Sequence, residues 1–152
     1  MSKAYSFLDV VASITGPGGS FSLSEGGIAD EGIVVTMSGD KNTMITGASG
    51  DGMHSLHAAQ SGRITVRVLK NGAVNAKLNA LYRHQIMSSA NWGQNQISVR
   101  NPSWGDSITA VEGAFVKHPD HVDAKEGGIQ EWTFDFVKID MMIGTGSPSI
   151  IE

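Results

Sequence analysis

Cysteine is absent from the 152-residue sequence. Its absence excludes disulfide bonds, thiolate nucleophiles and zinc or iron–sulfur sites held by cysteine. No segment approaches the roughly 20 consecutive apolar residues of a membrane helix, so we expect no membrane contact. Hydrophobic residues still make up 40% of the chain, which is enough for a core, and the length suits one domain rather than two. We therefore expect a single domain over residues 1–152.

Charged residues are few and are sorted along the chain. Residues 1–61 contain six acids and two bases, residues 62–100 contain six bases and no acid, and residues 101–152 contain nine acids and three bases. This order favours one acidic and one basic surface, and hence head-to-tail contacts between copies. The alternative is that folding intermixes the charges. The acidic balance argues against a dedicated nucleic-acid-binding protein.

Most of the sequence has the alternation and composition of β-strands. In residues 62–70, Ile64, Val66 and Val68 share one face, and Trp132, Phe134 and Phe136 share a face later in the chain. The residues between 42 and 47 can extend the third strand beyond a bulge. The predicted strands are residues 5–16, 20–24, 32–38, 62–70, 95–101, 106–117 and 130–143.

One segment, residues 73–89, has helical periodicity. Its apolar stripe consists of Val74, Leu78, Leu81, Tyr82 and Gln85. Either Asn71 or Asn75 is a candidate cap at its start. The pattern predicts a mainly β fold, an antiparallel β-barrel or sandwich with one flanking α-helix over the apolar face. Residues 144–152 are expected to form a loose tail.

Two histidine pairs are the candidates for a metal site. His54 and His57 lie near Asp51, but on a strand they would point to opposite faces, and the H-E-x-x-H pattern is missing. The second pair, His118 and His121, is accompanied by Asp120 and Asp123. The two pairs together would supply four ligands if they met in space. We expect neither a metal nor another cofactor, because a two-histidine set is thin for zinc.

Other catalytic patterns are weak. The sequence has no G-x-S-x-G elbow and no glycine-rich phosphate motif. Glu126, Glu131 and Asp135 would allow a pair of glycosidase carboxylates, although a solvated acidic face is favoured. Trp132 fits the core pattern, whereas Trp92 and Trp104 suit either the core or an interface. We therefore expect no catalytic residue and a protein that is not an enzyme.

Several motifs occur in an order that is typical of one family. They are "DKNTM" (40–44), "DGMHS" (51–55) leading into "SGRITVR" (61–67), "VNAKLNALY" (74–82) and "GGIQEWTFD" (127–135). Over residues 2 to 143 the chain resembles the tail-tube proteins of contractile-tailed bacteriophages, a group often labelled phage structural protein. None of these motifs is catalytic; their order and spacing carry the resemblance.

The resemblance implies a structural virion protein that is assembled in the host cytoplasm. Six copies would form a ring with a continuous barrel, lined by strands at about 32–46 and 62–70, with the helix at 74–88 outside. Rings would stack into the inner tail tube within a contractile sheath. The implied partners are the chain itself, the sheath protein, the baseplate or tube initiator, and the tail terminator. DNA and the tape measure protein would pass through the lumen without specific binding.

The resemblance also suggests roles for particular residues. The loop between the lining strands would contact the next ring, which makes Asp40, Lys41, Asp51, His54 and His57 the predicted ring-stacking loop. Arg63, Arg67 and Lys70 are the predicted inter-subunit charge contacts. Either these arginines face an acidic neighbour, or the predicted lumen face is wrong by one residue.

Three alternatives to a phage tube stay open at this point. They are the tube or terminator of a contractile injection system, a small metal-dependent hydrolase, and a carbohydrate-binding sandwich.

Overall fold

The computed structural model describes residues 6, 9–23, 28–70, 72–102, 104–121 and 123–144, and for residues 28–31 it describes the backbone alone. Within these ranges it contains nine strands and one α-helix: β1 (Val11–Gly16), β2 (Gly19–Ser22), β3 (Ile28–Met37), β4 (Asn42–Thr46), β5 (Gly52–Leu56), β6 (Gly62–Leu69), α1 (Ala73–Gln85), β7 (Asn95–Asn101), β8 (Asp106–Phe115) and β9 (Ile129–Met142). The prediction of a mainly β protein with one helix is confirmed.

Seven strands form one antiparallel sheet in the order β2-β1-β7-β8-β9-β6-β3. The edge strands β2 and β3 do not pair with each other, so the sheet is open in the described part of the chain. The predicted barrel is therefore not closed within one subunit. The helix α1 contacts β2 and β6. It packs on the apolar face of the open sheet, a face that a closed barrel would bury in its interior.

The sheet has one buried and one exposed face. In β6, Ile64, Val66 and Val68 are fully buried, and they alternate with more exposed residues, as predicted. In β9 the alternation changes phase where Val137 and Lys138 are both exposed. Glu112, in the facing part of β8, has a positive φ of 55°, which indicates a local irregularity in the strand. This irregularity lets Ile139 return to the buried side.

The helix packs on the buried face through its predicted stripe. Val74, Leu78, Leu81 and Gln85 are buried, and Tyr82 contacts the core aromatics Phe115 and Trp132 edge-on or tilted. The helix is shorter than predicted, because it ends at Gln85 with Ile86 as its C-cap. Ser88 then begins a 3-10 turn, Ser89–Asn91, by accepting a hydrogen bond from the Ala90 amide.

The start of the helix also differs from the prediction. The N-cap is Gly72, without a side-chain cap, and the alternative candidate Asn71 lies outside the described residues. Asn75 instead donates from Nδ2 to the carbonyl of Lys70 and accepts from Trp132 Nε1 at 2.9 Å. Its amide therefore joins the first turn of α1 to β6 and β9.

Several strand boundaries differ from the prediction. The first strand begins at Val11, and residues 5, 7 and 8 of its predicted range, like Ser24, lie outside the described residues. The predicted tail beyond Gly144 also lies outside them. The strand expected over 32–46 is divided, because β3 ends at Met37 and β4 pairs with β5 in a separate two-stranded sheet.

Candidate assembly surfaces

The predicted ring-stacking loop is a β-hairpin. Residues 42–46 pair with residues 52–56 from Asn42 opposite Leu56 to Thr46 opposite Gly52. The turn between them is closed by a 2.7 Å hydrogen bond from the Gly47 amide to the Asp51 carbonyl, with Gly50 at a φ of +92°. Sequence analysis missed β5, although two five-residue segments around a glycine-rich turn are a hairpin signal.

The hairpin exposes apolar side chains on both faces. Met44 and Leu56 lie on one face and are 58% and 85% exposed; Ile45 and Met53 lie on the other, and each is 58% exposed. A two-stranded hairpin is at best marginally stable alone in water. A contiguous exposed apolar patch marks an interaction site. The hairpin is thus a candidate surface for contact with a partner.

The structure separates the two histidines of the first pair. His54 and His57 lie on opposite faces of the hairpin, as the strand period predicts. His54 Nδ1 is 3.1 Å from Asn42 Nδ2, and His57 Nε2 is hydrogen-bonded to Thr43 Oγ1. Lys41 donates to the His57 carbonyl at 2.9 Å. Asp40 and Lys41 lie at the root of the hairpin, and Asp51 lies at its tip.

The second histidine pair also diverges. His118 packs edge-on against Tyr82 and Trp132, and its Nε2 is 2.8 Å from Asn79 Oδ1 on the helix. His121 Nε2 is 3.0 Å from Asp123 Oδ2. Across the described ranges no three histidine, aspartate or glutamate residues come together in a way that could hold a metal ion.

The predicted charge contacts have partners within the chain. On the exposed face of the sheet, Arg63 donates to Asp135 at 2.8 Å and Arg67 to Glu131 at 2.9 Å, each across the β6–β9 ladder. Asp135 raises the pKa of Arg63 through its hydrogen bond and its charge. The arginines and the acids recur at the same spacing of four residues, so the pairing could have been found once β6 and β9 were known to be neighbours.

Lys70 closes the end of β6. Its ammonium group contacts Asp123 at 2.5 Å, and Asp123 also faces His121. Two hydrogen bonds hold the pKa of the Asp123 carboxyl below its usual value. The one from Lys70 has the larger effect and the one from His121 the smaller. These two pairs hold Asp123 and His121 near the end of β6, and such pairs near the surface contribute little to stability.

The tryptophans divide between the core and the surface. Trp132 is fully buried, as predicted. Trp92 is 38% exposed and contacts Tyr82 edge-on, and Trp104 is half-buried. Of the three carboxylates considered for a glycosidase pair, Glu131 binds Arg67 and Asp135 binds Arg63. No helix in the described part of the chain is long and apolar enough to span a membrane.

Comparison with known proteins agrees with this architecture. The model of the family described as Bacteriophage PhiTE tail tube protein matches residues 1–144. The fold is similar to a chain of the six-fold symmetrised anti-feeding prophage baseplate, with a TM-score of 0.61, 10% identity, and coverage of 97% of this chain and 99% of that one. No curated protein sequence matches significantly.

Two further structures share the fold. A chain of the anti-feeding prophage tube-terminating cap has a TM-score of 0.52 at 10% identity, covering 95% of this chain and 94% of its own. A chain of the sheath/tube terminator of an extracellular contractile injection system, in its extended state, has a TM-score of 0.50 at 14% identity, covering 88% and 92%. At these identities the likeness concerns the fold alone.

Proposed function

Because this chain belongs to the Bacteriophage PhiTE tail tube protein family, we propose that it forms hexameric rings that stack into the inner tail tube of a phage, the conduit for DNA. It is a structural tube protein of the virion and not an enzyme. The observation that carries the assembly mechanism is the β4–β5 hairpin, whose two apolar faces are uncovered in one chain. Stacking would bury them.

The open sheet supports ring formation. Its edge strands β2 and β3 each have one neighbouring strand among the described residues, so each presents one edge that another strand could extend. Pairing of such edges around a ring would close a continuous barrel and remove the exposed edges. The six-fold symmetry of the baseplate that contains a protein of similar fold supports a ring of six.

The exposed face of β3, β6 and β9 is the face that we assign to the lumen. It carries Thr65 opposite Thr133, between the paired Arg63–Asp135 and Arg67–Glu131 charges. Arginines that are neutralised by acids in the same chain release few counterions from DNA, so their contribution to DNA-binding affinity would be small. The outer surface of α1 carries Lys77 and Arg83, which suits the side away from DNA. The lining would then consist of residues 28–37 and 62–69 with β9, rather than 32–46 and 62–70.

The remaining roles follow from the tube. Asp40, Lys41, Asp51, His54 and His57 would contact the next ring, and Arg63, Arg67 and Lys70 would contact neighbouring subunits in addition to their partners within the chain. The sheath protein would bind the outside, and the baseplate or tube initiator and the tail terminator would bind the ends. DNA and the tape measure protein would pass through without specific binding. Assembly would take place in the host cytoplasm.

A second function is the tube or terminator of a contractile injection system. The likeness to the cap of the anti-feeding prophage and to a sheath/tube terminator favours it. Negative-stain electron microscopy of the untagged protein over a concentration series tests both functions. Long hollow tubes are expected of a tube subunit, whereas single rings that do not stack indicate a terminator. Monomers at all concentrations, even with added baseplate extract, would contradict self-assembly.

A further inference from the structure

The β4–β5 hairpin carries one methionine on each of its faces. Met44 shares one face with Leu56, and Met53 lies opposite Ile45 on the other. Each methionine is 58% exposed, so both are open to small solutes in a single chain. Each apolar face of the hairpin therefore depends on a thioether for part of its surface.

Thioethers are the side chains of this protein that a peroxide attacks first. The chain contains no cysteine, so hydrogen peroxide meets no thiol, and methionine is its principal target. The sulfur lone pair bonds to one peroxide oxygen, the O–O bond breaks, and the second oxygen leaves as water. The sulfur loses two electrons and the peroxide gains them.

The product changes the chemistry of the hairpin surface. A sulfoxide is polar and chiral, and it disrupts interfaces that an apolar thioether would pack into. Its oxygen is a hydrogen-bond acceptor, and burying an acceptor without a donor is unfavourable. One oxidised methionine on either face therefore opposes burial of that face.

Four further methionines belong to the described part of the chain. Met87 is 81% exposed just beyond α1, and Met142 is 65% exposed at the end of β9. Met37 is 39% exposed at the end of β3, and Met141 is half-buried. Since Met87 and Met142 are more exposed than the hairpin methionines, reactivity with peroxide does not set the hairpin apart. What sets it apart is that both of its apolar faces are uncovered in one chain.

We propose that Met44 and Met53 are oxidation sites that control assembly. A sulfoxide at either residue of a free subunit blocks burial of that face of the hairpin, whereas an assembled tube shields both thioethers from peroxide. The inference rests on the proposed tube function and adds a modification to it. Oxidation before assembly arrests tube formation, and oxidation after assembly spares these two residues.

Peptide mapping by mass spectrometry tests the shielding on the wild-type protein. Free subunits and assembled tubes are treated with the same concentration of hydrogen peroxide, with added free methionine as the reference for its activity. Met44 and Met53 should be oxidised about tenfold more slowly in tubes than in free subunits. Equal rates in the two states overturn the proposal while leaving the tube function intact.

Light scattering and electron microscopy test the effect on assembly. Subunits that are oxidised and then freed of peroxide should need an about tenfold higher concentration to form tubes, equal to about 1.4 kcal/mol. Met44→Leu with Met53→Leu keeps the apolar surface without a thioether, so its assembly should be the same before and after peroxide. Met87→Leu with Met142→Leu is the matched control and should stay as sensitive as the wild type. The opposite pattern in the two variants contradicts the proposal.

Reversal of the oxidation gives a result that does not depend on the leucine variants assembling. The two methionine sulfoxide reductases, one for each epimer, restore the thioether with dithiothreitol as the reductant. Oxidised wild-type protein should then regain assembly at its original concentration. Failure to assemble once mass spectrometry shows Met44 and Met53 reduced overturns the proposal. Untreated wild-type protein that forms neither rings nor tubes overturns the tube function, and this inference with it.

Discussion

At the residue scale, a buried pair of amides explains why Gln85 lies on an apolar helix stripe. Gln85 Nε2 donates to Asn95 Oδ1 at 2.6 Å, and Asn95 Nδ2 donates back to Gln85 Oε1 at 2.9 Å. Gln85 Nε2 also reaches the Pro17 carbonyl. Both side chains are fully buried. The pair thus ties the last turn of α1 to the start of β7 and to the turn between β1 and β2.

Gln85→Leu should destabilise the fold by about 1–3 kcal/mol, since it leaves the Asn95 amide buried without its partner. Urea unfolding followed by circular dichroism measures the change. Gln85→Leu with Asn95→Leu should recover part of the loss, because both polar groups are then gone. Arg83→Leu, on the exposed side of the same helix, is the control and should change stability by less than about 0.5 kcal/mol. An unchanged urea midpoint for Gln85→Leu would contradict the role of the pair.

A glycine in β8 leaves room for an aromatic ring. A Cβ at Gly113 would lie 2.2 Å from Cε1 of Phe136, whereas a Cβ at Gly128 would meet nothing within 4 Å. Gly113→Ala is therefore expected to cost about 1–3 kcal/mol through overpacking. Gly128→Ala should leave the melting temperature close to that of the wild type. Equal melting temperatures for the two variants, measured by differential scanning calorimetry, would argue against this packing.

At the element scale, the hairpin and the sheet differ in how much apolar surface they bury within one chain. The sheet buries an apolar face against α1, so its strands are stable within one chain. The hairpin buries neither face, and every residue of β4 is exposed. We therefore expect its side chains to contribute to assembly rather than to the stability of the subunit.

Ile45→Ser with Met53→Ser should abolish tube formation while changing the subunit's unfolding free energy by less than about 0.5 kcal/mol, since both side chains are already exposed. Ile45→Leu with Met53→Leu keeps the apolar surface and should still assemble. Electron microscopy gives the first result and thermal unfolding the second. Tubes from the serine variant would remove the hairpin from the stacking contact.

At the scale of the whole molecule, the sorted charges of the sequence are partly intermixed by folding. Arg63, Arg67 and Lys70 find Asp135, Glu131 and Asp123 in the third, acidic segment of the same chain. The acids of the hairpin are distant in sequence from these pairs and form no ion pair with described residues. Head-to-tail contact between copies remains a prediction for these residues.

A charge swap separates the two roles of Arg67. Arg67→Glu alone should raise the protein concentration needed for tube assembly by about tenfold, equal to about 1.4 kcal/mol. Arg67→Glu with Glu131→Arg restores the pair within the chain but still reverses the charge offered to a neighbour, so assembly should stay weak. Light scattering over a concentration series measures both variants. Full recovery in the swapped variant would place the role of Arg67 within the subunit.

Features that arise from local periodicity could be predicted without the structure. Alternation located β6, β7 and most of β9, and it assigned Ile64, Val66, Val68 and Trp132 to the core. The 3.6-residue period located α1 and its buried stripe. The opposite orientation of His54 and His57 followed from the strand period alone. Each of these depends on side chains within a few positions of each other along the chain.

The neighbours of each strand could not be predicted in this way, because pairing joins residues that are far apart in sequence. Arg63 and Asp135 are 72 positions apart, so nothing in either segment names the other as its partner. The division of 32–46 into β3 and β4 depended on strand pairing, because β3 pairs with β6 as far as Met37 whereas β4 pairs with β5. Leu56 and Met53 are exposed because no described element packs on either face of the hairpin. Such outcomes are set by the packing of the whole chain, which local patterns do not contain.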